Sequence, residues 1–247
     1  MEKSAKNKSN RLFIVLAAVF ITNALVAEFI GVKIFSLEKT LGIDPFSFSF
    51  FGQENLSFQL TAGVLIWPIV FILTDIINEY FGKKGVIRLS YLAIGMISYS
   101  FILIYFAINL VPADFWVQSH LDFATTESEK MQLSEQVGNY NTAYSLVFGQ
   151  GLKIIFASLI AFFIAQLLDA FIFRKIKLLT GEKKIWLRAT GSTLISQFFD
   201  SYIVLWIAFY IGANWPLKTV LAIGTVNYIY KVFIAIVLTP LLYFMHW

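Results

Sequence analysis

Six long apolar stretches run through this chain, and they constrain its fold more than any other feature. A helix needs roughly 20 apolar residues to cross a bilayer, and each stretch reaches that length. Hydrophobic residues make up 58% of the chain and charged residues only 14%, whereas about 25% of residues in soluble domains are charged. The sequence therefore predicts an all-α integral membrane protein. We expect a single domain over residues 1–247, with six transmembrane helices at about 12–33, 57–80, 86–110, 143–173, 187–212 and 217–245.

The basic residues predict how these helices are oriented. Thirteen lysines and arginines lie in the tail 1–11 and near the connections between the second and third and between the fourth and fifth stretches, whereas the other loops hold four. Because basic loops stay in the cytoplasm, both termini should be cytoplasmic and the acidic connection at about 111–142 should be an outer loop. A cleaved signal peptide is the alternative for the first stretch, but that stretch is longer than the about 7 to 15 apolar residues of a signal.

The sequence lacks the residues or motifs that several kinds of functional site require. The chain has no cysteine, which excludes disulfides and thiolate metal sites. Its two histidines, His120 and His246, are too few and too far apart in sequence to indicate a metal site. Neither is expected at the depth of the acidic residues, so a serine-type hydrolase is not supported. No nucleotide-binding glycine loop is present, so we expect no ATP hydrolysis and no cofactor. The excess of basic residues lies in short loop clusters, which indicates a membrane topology and not nucleic-acid binding.

Seven ionisable residues fall inside the predicted helices. Each costs about 2.5 to 3.5 kcal/mol near the bilayer centre, so such groups usually face a cavity and have partners. At 1.5 Å per residue, Asp200 and Lys231 lie roughly 18 and 21 Å from the ends of their helices, near the midplane. The full set is Glu28, Asp75, Glu79, Lys153, Asp169, Asp200 and Lys231.

Three of these residues also have a simpler interpretation. Glu79 and Asp169 lie close to the basic inner loops, where Lys83 or Arg174 could neutralise them. Both side chains could then extend to the membrane surface as anchors. Glu28 lies near the outer end of its helix, and we expect an interfacial role for it.

Polar residues three or four apart form a stripe on each of four predicted helices. One stripe alone is commonly an interhelical contact worth about 0.6 kcal/mol per hydrogen bond. Four stripes that carry opposite charges favour one shared internal binding site. Its predicted residues are Asp75, Asn78, Glu79, Gln197, Asp200, Asn227 and Lys231, with Gln150, Lys153, Tyr228 and Trp67 as secondary candidates.

Two backbone signals accompany these stripes. Pro68 falls inside the second predicted helix, where it would remove a hydrogen bond and produce a kink. Gly149 and Gly151 flank Gln150 in the fourth predicted helix and permit a break or a close approach by a ligand.

Solute binding and transport is the function class that fits this site. Carboxylates accept hydrogen bonds and amides both donate and accept, which suits a small polar solute with several donors. A planar heterocycle would suit the site, with Trp67, Phe198, Tyr202 or Tyr228 available for stacking. An intramembrane aspartyl enzyme built on Asp75 and Asp200 is the less favoured alternative, because its usual sequence motifs are missing and Lys231 at a similar depth would favour ionised carboxylates. A purely structural membrane protein also stays open.

Four sequence segments resemble the queuosine precursor transporters, a branch of the vitamin uptake transporters. They are "LTDIINEYFG" at 73–82, "QLLDAFIF" at 166–173, "LRATGSTLISQFFDS" at 187–201 and "NYIYKVFIAIVLTPLLY" at 227–243. The resemblance covers the second to sixth predicted helices in the order of the family.

The resemblance implies import of 7-deazaguanine bases, such as 7-cyano-7-deazaguanine and its aminomethyl derivative, across a bacterial inner membrane for salvage into tRNA queuosine. It also implies a six-helix fold similar to energy-coupling-factor substrate-binding subunits, without an ATPase module. The family motifs contain the seven predicted site residues, although some relatives carry a basic residue in place of Glu79, and no motif matches Lys153. A binding subunit of a multicomponent vitamin or nucleobase transporter is the alternative, and homo-oligomerisation stays open.

Overall fold

The computed structural model is almost entirely helical. It describes residues 2–113, 115–116, 119, 124–137, 140–149, 152–181 and 184–246, without the side chains of 2–6, 135–137, 152–153, 185, 238–239 and 241–246. The α-helices are α1 (Glu2–Ile30), α2 (Leu37–Leu41), α3 (Trp67–Ile108), α4 (Glu127–Val137), α5 (Tyr140–Gly149), α6 (Leu152–Thr180), α7 (Ile185–Leu205) and α8 (Leu217–His246). A 3₁₀ turn, Ala62–Leu65, precedes α3, and a π-helical turn, Trp206–Ile211, follows α7.

Five helical segments in the described residues are long and apolar enough to cross a membrane. They are Asn7–Ile30, Trp67–Ile108, Tyr140–Thr180, Trp186–Ile211 and Leu217–Val237. The prediction of a helical membrane protein is therefore confirmed. Two predicted spans fall within α3, whose helical backbone is interrupted at Gly82, with φ 63° and ψ −173°. A side chain would strain a left-handed φ, so glycine at this position permits the sharp change of direction.

The predicted start of the second span was wrong. Residues 59–61 form a strand and residues 62–65 a 3₁₀ turn, so the α-helix begins only at Trp67. Pro68 therefore lies in the first turn of α3, where a missing amide proton costs no helical hydrogen bond. The expected kink at Pro68 was wrong for the same reason.

The connection between α1 and α3 has a folded structure that the apolar pattern did not predict. Strands β1 (Ile34–Ser36) and β4 (Gln59–Thr61) pair antiparallel, as do β2 (Phe48–Phe50) and β3 (Gln53–Leu56). Phe58 lies edge-on to Phe48, with ring centroids 5.3 Å apart. The alternation of phenylalanine and serine in "FSFSF" is the strand signal that could have indicated β2.

Glu38 joins α2 to the end of this connection. Its carboxylate is buried and accepts hydrogen bonds from the Phe58 amide at 2.7 Å and from the Ser36 hydroxyl at 3.1 Å. Burial alone would raise the pKa of Glu38, but hydrogen bonds from Phe58, Ser36, Phe46 and its own amide outweigh burial and lower that pKa below its ordinary value. The ionised carboxylate therefore stabilises the folded connection.

The first of two compact units comprises residues 1–97 and 153–247. Phe20 of α1 packs against Phe162 of α6, with ring centroids 6.2 Å apart. Further along, Ile72 of α3, Phe173 of α6 and Ala189 of α7 form a buried cluster. These contacts hold α3, α6 and α7 together where their polar residues lie.

The second unit comprises residues 98–152 and contains the predicted outer loop. Helix α4 lies in this loop and starts with a reciprocal cap, in which Glu129 donates its amide to the Thr126 hydroxyl and its carboxylate accepts the Thr126 amide. Hydrogen bonds from the side chain and backbone of Thr125, and from Thr126, lower the pKa of Glu129. Helix α5 ends at Gly149 and α6 begins at Leu152, so helical structure is described on both sides of the predicted break; Gln150 itself lies outside the described residues.

Candidate functional site

An ion pair joins α7 to α8, within two of the helical segments that are long and apolar enough to cross a membrane. Lys231 Nζ donates to Asp200 Oδ2 at 2.5 Å, and both side chains are about four-fifths buried. From sequence, Lys231 could be expected to pair with either Asp200 or Asp75, and the structure pairs it with Asp200. The neighbouring helix contact is close, because a Cβ on Gly224 would lie 2.9 Å from the ring of Tyr202.

The aromatic residues near this pair pack against one another. Phe198 contacts Tyr202 and Tyr228, with ring centroids 4.8 and 5.4 Å apart, and the Tyr228 hydroxyl donates to the Leu194 carbonyl at 3.2 Å. Phe198 and Tyr202 each lie two residues from Asp200, which places them about 200° from it around α7. Trp67 packs against Phe71 and Phe162. Phe198 and Tyr202 therefore do not lie on the helix face of Asp200, and all four rings pack against other aromatic rings.

A second group of ionisable residues lies where α3, α6 and α7 meet. Asp75 and Asn78 of α3 and Asp169 of α6 are all buried, with at most 6% of their surface exposed. Asp75 is close enough to Asp169 and Glu79 for their charges to interact. The hydroxyls of Ser192 and Ser196 lie beside the Asp169 carboxylate, with Ser196 Oγ 3.5 Å from Oδ1.

Glu79 lies in a buried ionic cluster with two cations. Arg188 of α7 donates to both of its oxygens, from Nη2 at 2.8 Å and from Nε at 3.0 Å, and Lys177 of α6 donates at 3.0 Å. Neither Lys83 nor Arg174, the partners expected from sequence, makes this contact. Arg188, which the sequence placed among the loop cations, is completely buried and also donates to the Gly181 carbonyl at 2.8 Å. Arg188 also falls within the predicted fifth span, 187–212, and the structure places it about one turn inside α7, which begins at Ile185.

Five buried polar atoms within the described residues have no hydrogen-bond partner. They come from α3, α6 and α7 and include two carboxylate oxygens, two amide atoms and one hydroxyl: Asp75 Oδ1, Asn78 Nδ2, Gln166 Oε1, Asp169 Oδ2 and Ser201 Oγ. Leaving a buried polar group unpaired costs about 1 to 3 kcal/mol. Unpaired donors and acceptors on three packed helices are what a site for a polar ligand requires.

Helix α7 connects the two groups. Arg188, Ser192, Ser196 and Asp200 follow one another at intervals of four residues, which puts them on a continuous stripe about 18 Å long. Asp200 lies one turn, about 6 Å, from Ser196 along α7, and the Ser196 hydroxyl lies beside the Asp169 carboxylate. Sequence analysis missed Arg188, Ser192, Ser196 and Gln166 as site residues. The spacing of four would have added the first three, whereas Gln166 became visible only through the packing of α6.

The remaining predicted residues are less closely involved. Gln197 is buried on α7 and Asn227 is half-buried on α8. Gln150 and the side chain of Lys153 lie outside the part of the chain that the structure describes. Glu28 accepts a hydrogen bond from Ser158 of α6 at 2.8 Å and is close enough to Asp200 for their charges to interact.

No group of three or more potential metal ligands occurs among the described residues. The site instead contains unpaired carboxylate oxygens and amide atoms. It also contains two ion pairs that join different helices, Glu79 with Arg188 and Asp200 with Lys231. Such a set can bind a neutral or zwitterionic polar molecule and exchange ion pairs for contacts with it.

Comparisons with known proteins agree with the sequence motifs. Residues 61–245 match the family model described as "Putative vitamin uptake transporter". A "Probable queuosine precursor transporter" of Bacillus subtilis is 28% identical over 191 residues, which cover 77% of this chain and 73% of the relative. A protein of the same name from Haemophilus influenzae is 25% identical over 186 residues, covering 75% of this chain and 67% of the relative. No solved structure matches the chain.

The matched region contains α3, α6, α7 and most of α8, and therefore every predicted site residue. It covers well over half of the chain. The chain therefore belongs to the vitamin uptake transporter family and is a membrane transport protein, not an enzyme.

Proposed function

We propose that this protein imports queuosine precursors, the 7-deazaguanine bases, across a bacterial inner membrane for use in tRNA modification. The observation that carries the proposal is the set of unpaired buried polar atoms on α3, α6 and α7, together with the Asp200–Lys231 pair that joins α7 to α8. The names of the Bacillus and Haemophilus relatives supply the substrate class.

The edge of a deazaguanine complements these atoms. Its ring N–H and exocyclic amine are donors that suit the free oxygen of Asp75, and its carbonyl is an acceptor that suits the free amide nitrogen of Asn78. Gln197 is buried one turn from Thr193 on the same helix and supplies a further amide. Both oxygens of Glu79 already accept hydrogen bonds from Arg188 or Lys177, so we assign Glu79 to holding the helices.

The Asp200–Lys231 pair provides the conformational response. The pair joins α7 to α8. A base that binds Asp200 displaces part of this pairing and thereby loosens the α7–α8 contact. A ligand shifts a conformational equilibrium only through contacts that differ between the two states, and this exchange of partners is such a difference.

We further propose that α3 supplies two of six membrane spans. As one rod, its 42 residues would extend about 63 Å, twice the hydrocarbon thickness of a bilayer. Reversal at Gly82 gives a first span of residues 62–81, about 30 Å long including the 3₁₀ turn, and a second at 83–108. Six spans place both termini in the cytoplasm, as the basic loops favour. The fold proposed is that of an energy-coupling-factor substrate-binding subunit that works without an ATPase module.

Rescue of queuosine in tRNA tests this function. The gene is expressed in a bacterial host that cannot make the precursors and lacks its own importer, and tRNA queuosine is measured after feeding 7-cyano-7-deazaguanine. The wild-type protein should restore queuosine. Asp200→Asn and Lys231→Gln should each abolish it, because each leaves the other charge unpaired in the membrane. The exposed carboxylate variant Glu127→Gln should act as wild type.

Membrane levels of all variants are measured in parallel, so that lost insertion is not read as lost transport. Full rescue by both site variants would refute the site. Uptake by the purified protein alone in liposomes separates a self-sufficient transporter from a binding subunit, which would take up nothing without its partners.

A further inference from the structure

The charges buried between α3, α6 and α7 do not balance when every group is ionised. Three carboxyl groups, Asp75, Glu79 and Asp169, face two cations, Lys177 and Arg188. Both cations donate to Glu79, and among the described residues neither Asp75 nor Asp169 forms a salt bridge. One added proton would make the cluster neutral.

The geometry also disfavours two ionised aspartates. Asp75 and Asp169 are 6% and 4% exposed and lie on helices that pack together around Ile72, Phe173 and Ala189. Two like charges that share a buried site cannot both ionise without a large cost, and such a pair characteristically holds one proton. Each aspartate also keeps an oxygen with no hydrogen-bond partner, Asp75 Oδ1 and Asp169 Oδ2, so a proton on either oxygen meets no competing donor.

Other charged groups on the described parts of the neighbouring helices are exposed, are paired with each other or lie farther from Asp75 and Asp169. On α6, Arg174 and Lys175 are exposed, and Lys175 Nζ lies 5.3 Å from the centre of the Phe171 ring. The Asp200–Lys231 pair is self-neutralising. Glu28 lies nearer to Asp200 and accepts a hydrogen bond from Ser158, which is eleven residues, or about 16 Å, from Asp169 along α6.

We propose that Asp75 and Asp169 form a proton-carrying carboxyl pair that couples uptake of the base to the inward movement of one proton. This proposal rests on the proposed transport function. The pair lies between two ionic contacts along the α7 stripe, the Arg188–Glu79–Lys177 cluster on one side and the Asp200–Lys231 pair on the other. Opening one contact while the other stays closed exposes the pair to one side of the membrane at a time, which is the condition for coupled transport.

A proton fits this site better than a metal cation. The described parts of α3, α6 and α7 are regular helix around these residues, so their backbone carbonyls are used within the helices. Sodium sites in transporters generally draw on carbonyls of unwound helix. The free atoms available here are side-chain oxygens on separate helices.

The experiment uses purified full-length protein in liposomes and radiolabelled 7-cyano-7-deazaguanine. Exchange of external labelled base for internal unlabelled base, without any gradient, measures transport alone. Coupling is measured as accumulation of the labelled base when the liposome interior is one pH unit more alkaline than the exterior and the membrane potential is held at zero. One proton per neutral base gives about tenfold accumulation, because one pH unit corresponds to a factor of ten.

We expect the wild-type protein and Glu127→Gln to accumulate about tenfold. Asp169→Asn should show an accumulation ratio of about one at whatever rate of exchange it retains. Wild-type exchange without any response to the pH gradient, accumulation driven instead by a sodium gradient, or wild-type coupling in Asp169→Asn would overturn the coupling proposal. If Asp169→Asn does not fold, the wild-type measurements still decide. Absence of exchange by the wild-type protein would refute the proposed substrate, which is a different result from failure of the coupling proposal.

Discussion

Replacing Arg188 by glutamine removes the central cation of the buried cluster on α7. Its guanidinium makes two hydrogen bonds to Glu79 and one to the Gly181 carbonyl, all between 2.8 and 3.0 Å. Breaking a buried ion pair by removing one partner costs about 3 to 5 kcal/mol. Lys177 still faces Glu79 in the variant, so we expect the lower end, about 3 kcal/mol, or roughly a 150-fold change in the folding equilibrium.

The assay is unfolding of the purified protein by titration with SDS in mixed micelles, followed by tryptophan fluorescence. Glu127→Gln is the control, because the Glu127–Lys130 pair at 3.3 Å is exposed and such pairs contribute at most about 1 kcal/mol. The double variant Glu79→Gln with Arg188→Gln should lose less than the sum of the single variants by at least about 1 kcal/mol. Equal stability of Arg188→Gln and the control, or strict additivity, would refute a structural role for this cluster.

Two further predictions concern other parts of the fold. Gly224→Val should clash with the Tyr202 ring, which a Cβ alone would approach to 2.9 Å. We expect this overpacking to destabilise the protein by about 1 to 3 kcal/mol and to reduce uptake. Gly95→Val is the control and should be tolerated better, because a Cβ at Gly95 meets open space. Glu38 stabilises the connection between α1 and α3 through its lowered pKa, so this contribution is present at neutral pH and is lost as the pH falls below the ordinary glutamate value through the lowered pKa. Hydrogen exchange of residues 34–61 should show that loss in the wild-type protein and a weaker pH dependence in Glu38→Gln, and identical pH profiles would contradict the assignment.

The sequence by itself determined the membrane class, and it predicted the depth of the charged residues. Both follow from local quantities, the length of apolar runs and the rise of a helix, which need no knowledge of packing. The Asp200–Lys231 contact could be anticipated as one of two pairings, since opposite charges near the midplane need each other. The family motifs gave the transporter assignment, which the comparisons confirmed.

Only the tertiary structure decided which charges meet. Arg188 could be counted as a loop cation because its distance along the chain to Glu79 says nothing about the packing of α7 against α3. The same holds for Asp169 beside Asp75, and for Gln166, whose free oxygen depends on what surrounds α6. The prediction of a kink at Pro68 was wrong for a related reason. The effect of a proline depends on whether it lies in the interior of a helix or in its first turn, and the start of α3 is fixed by the strand and 3₁₀ turn that precede it.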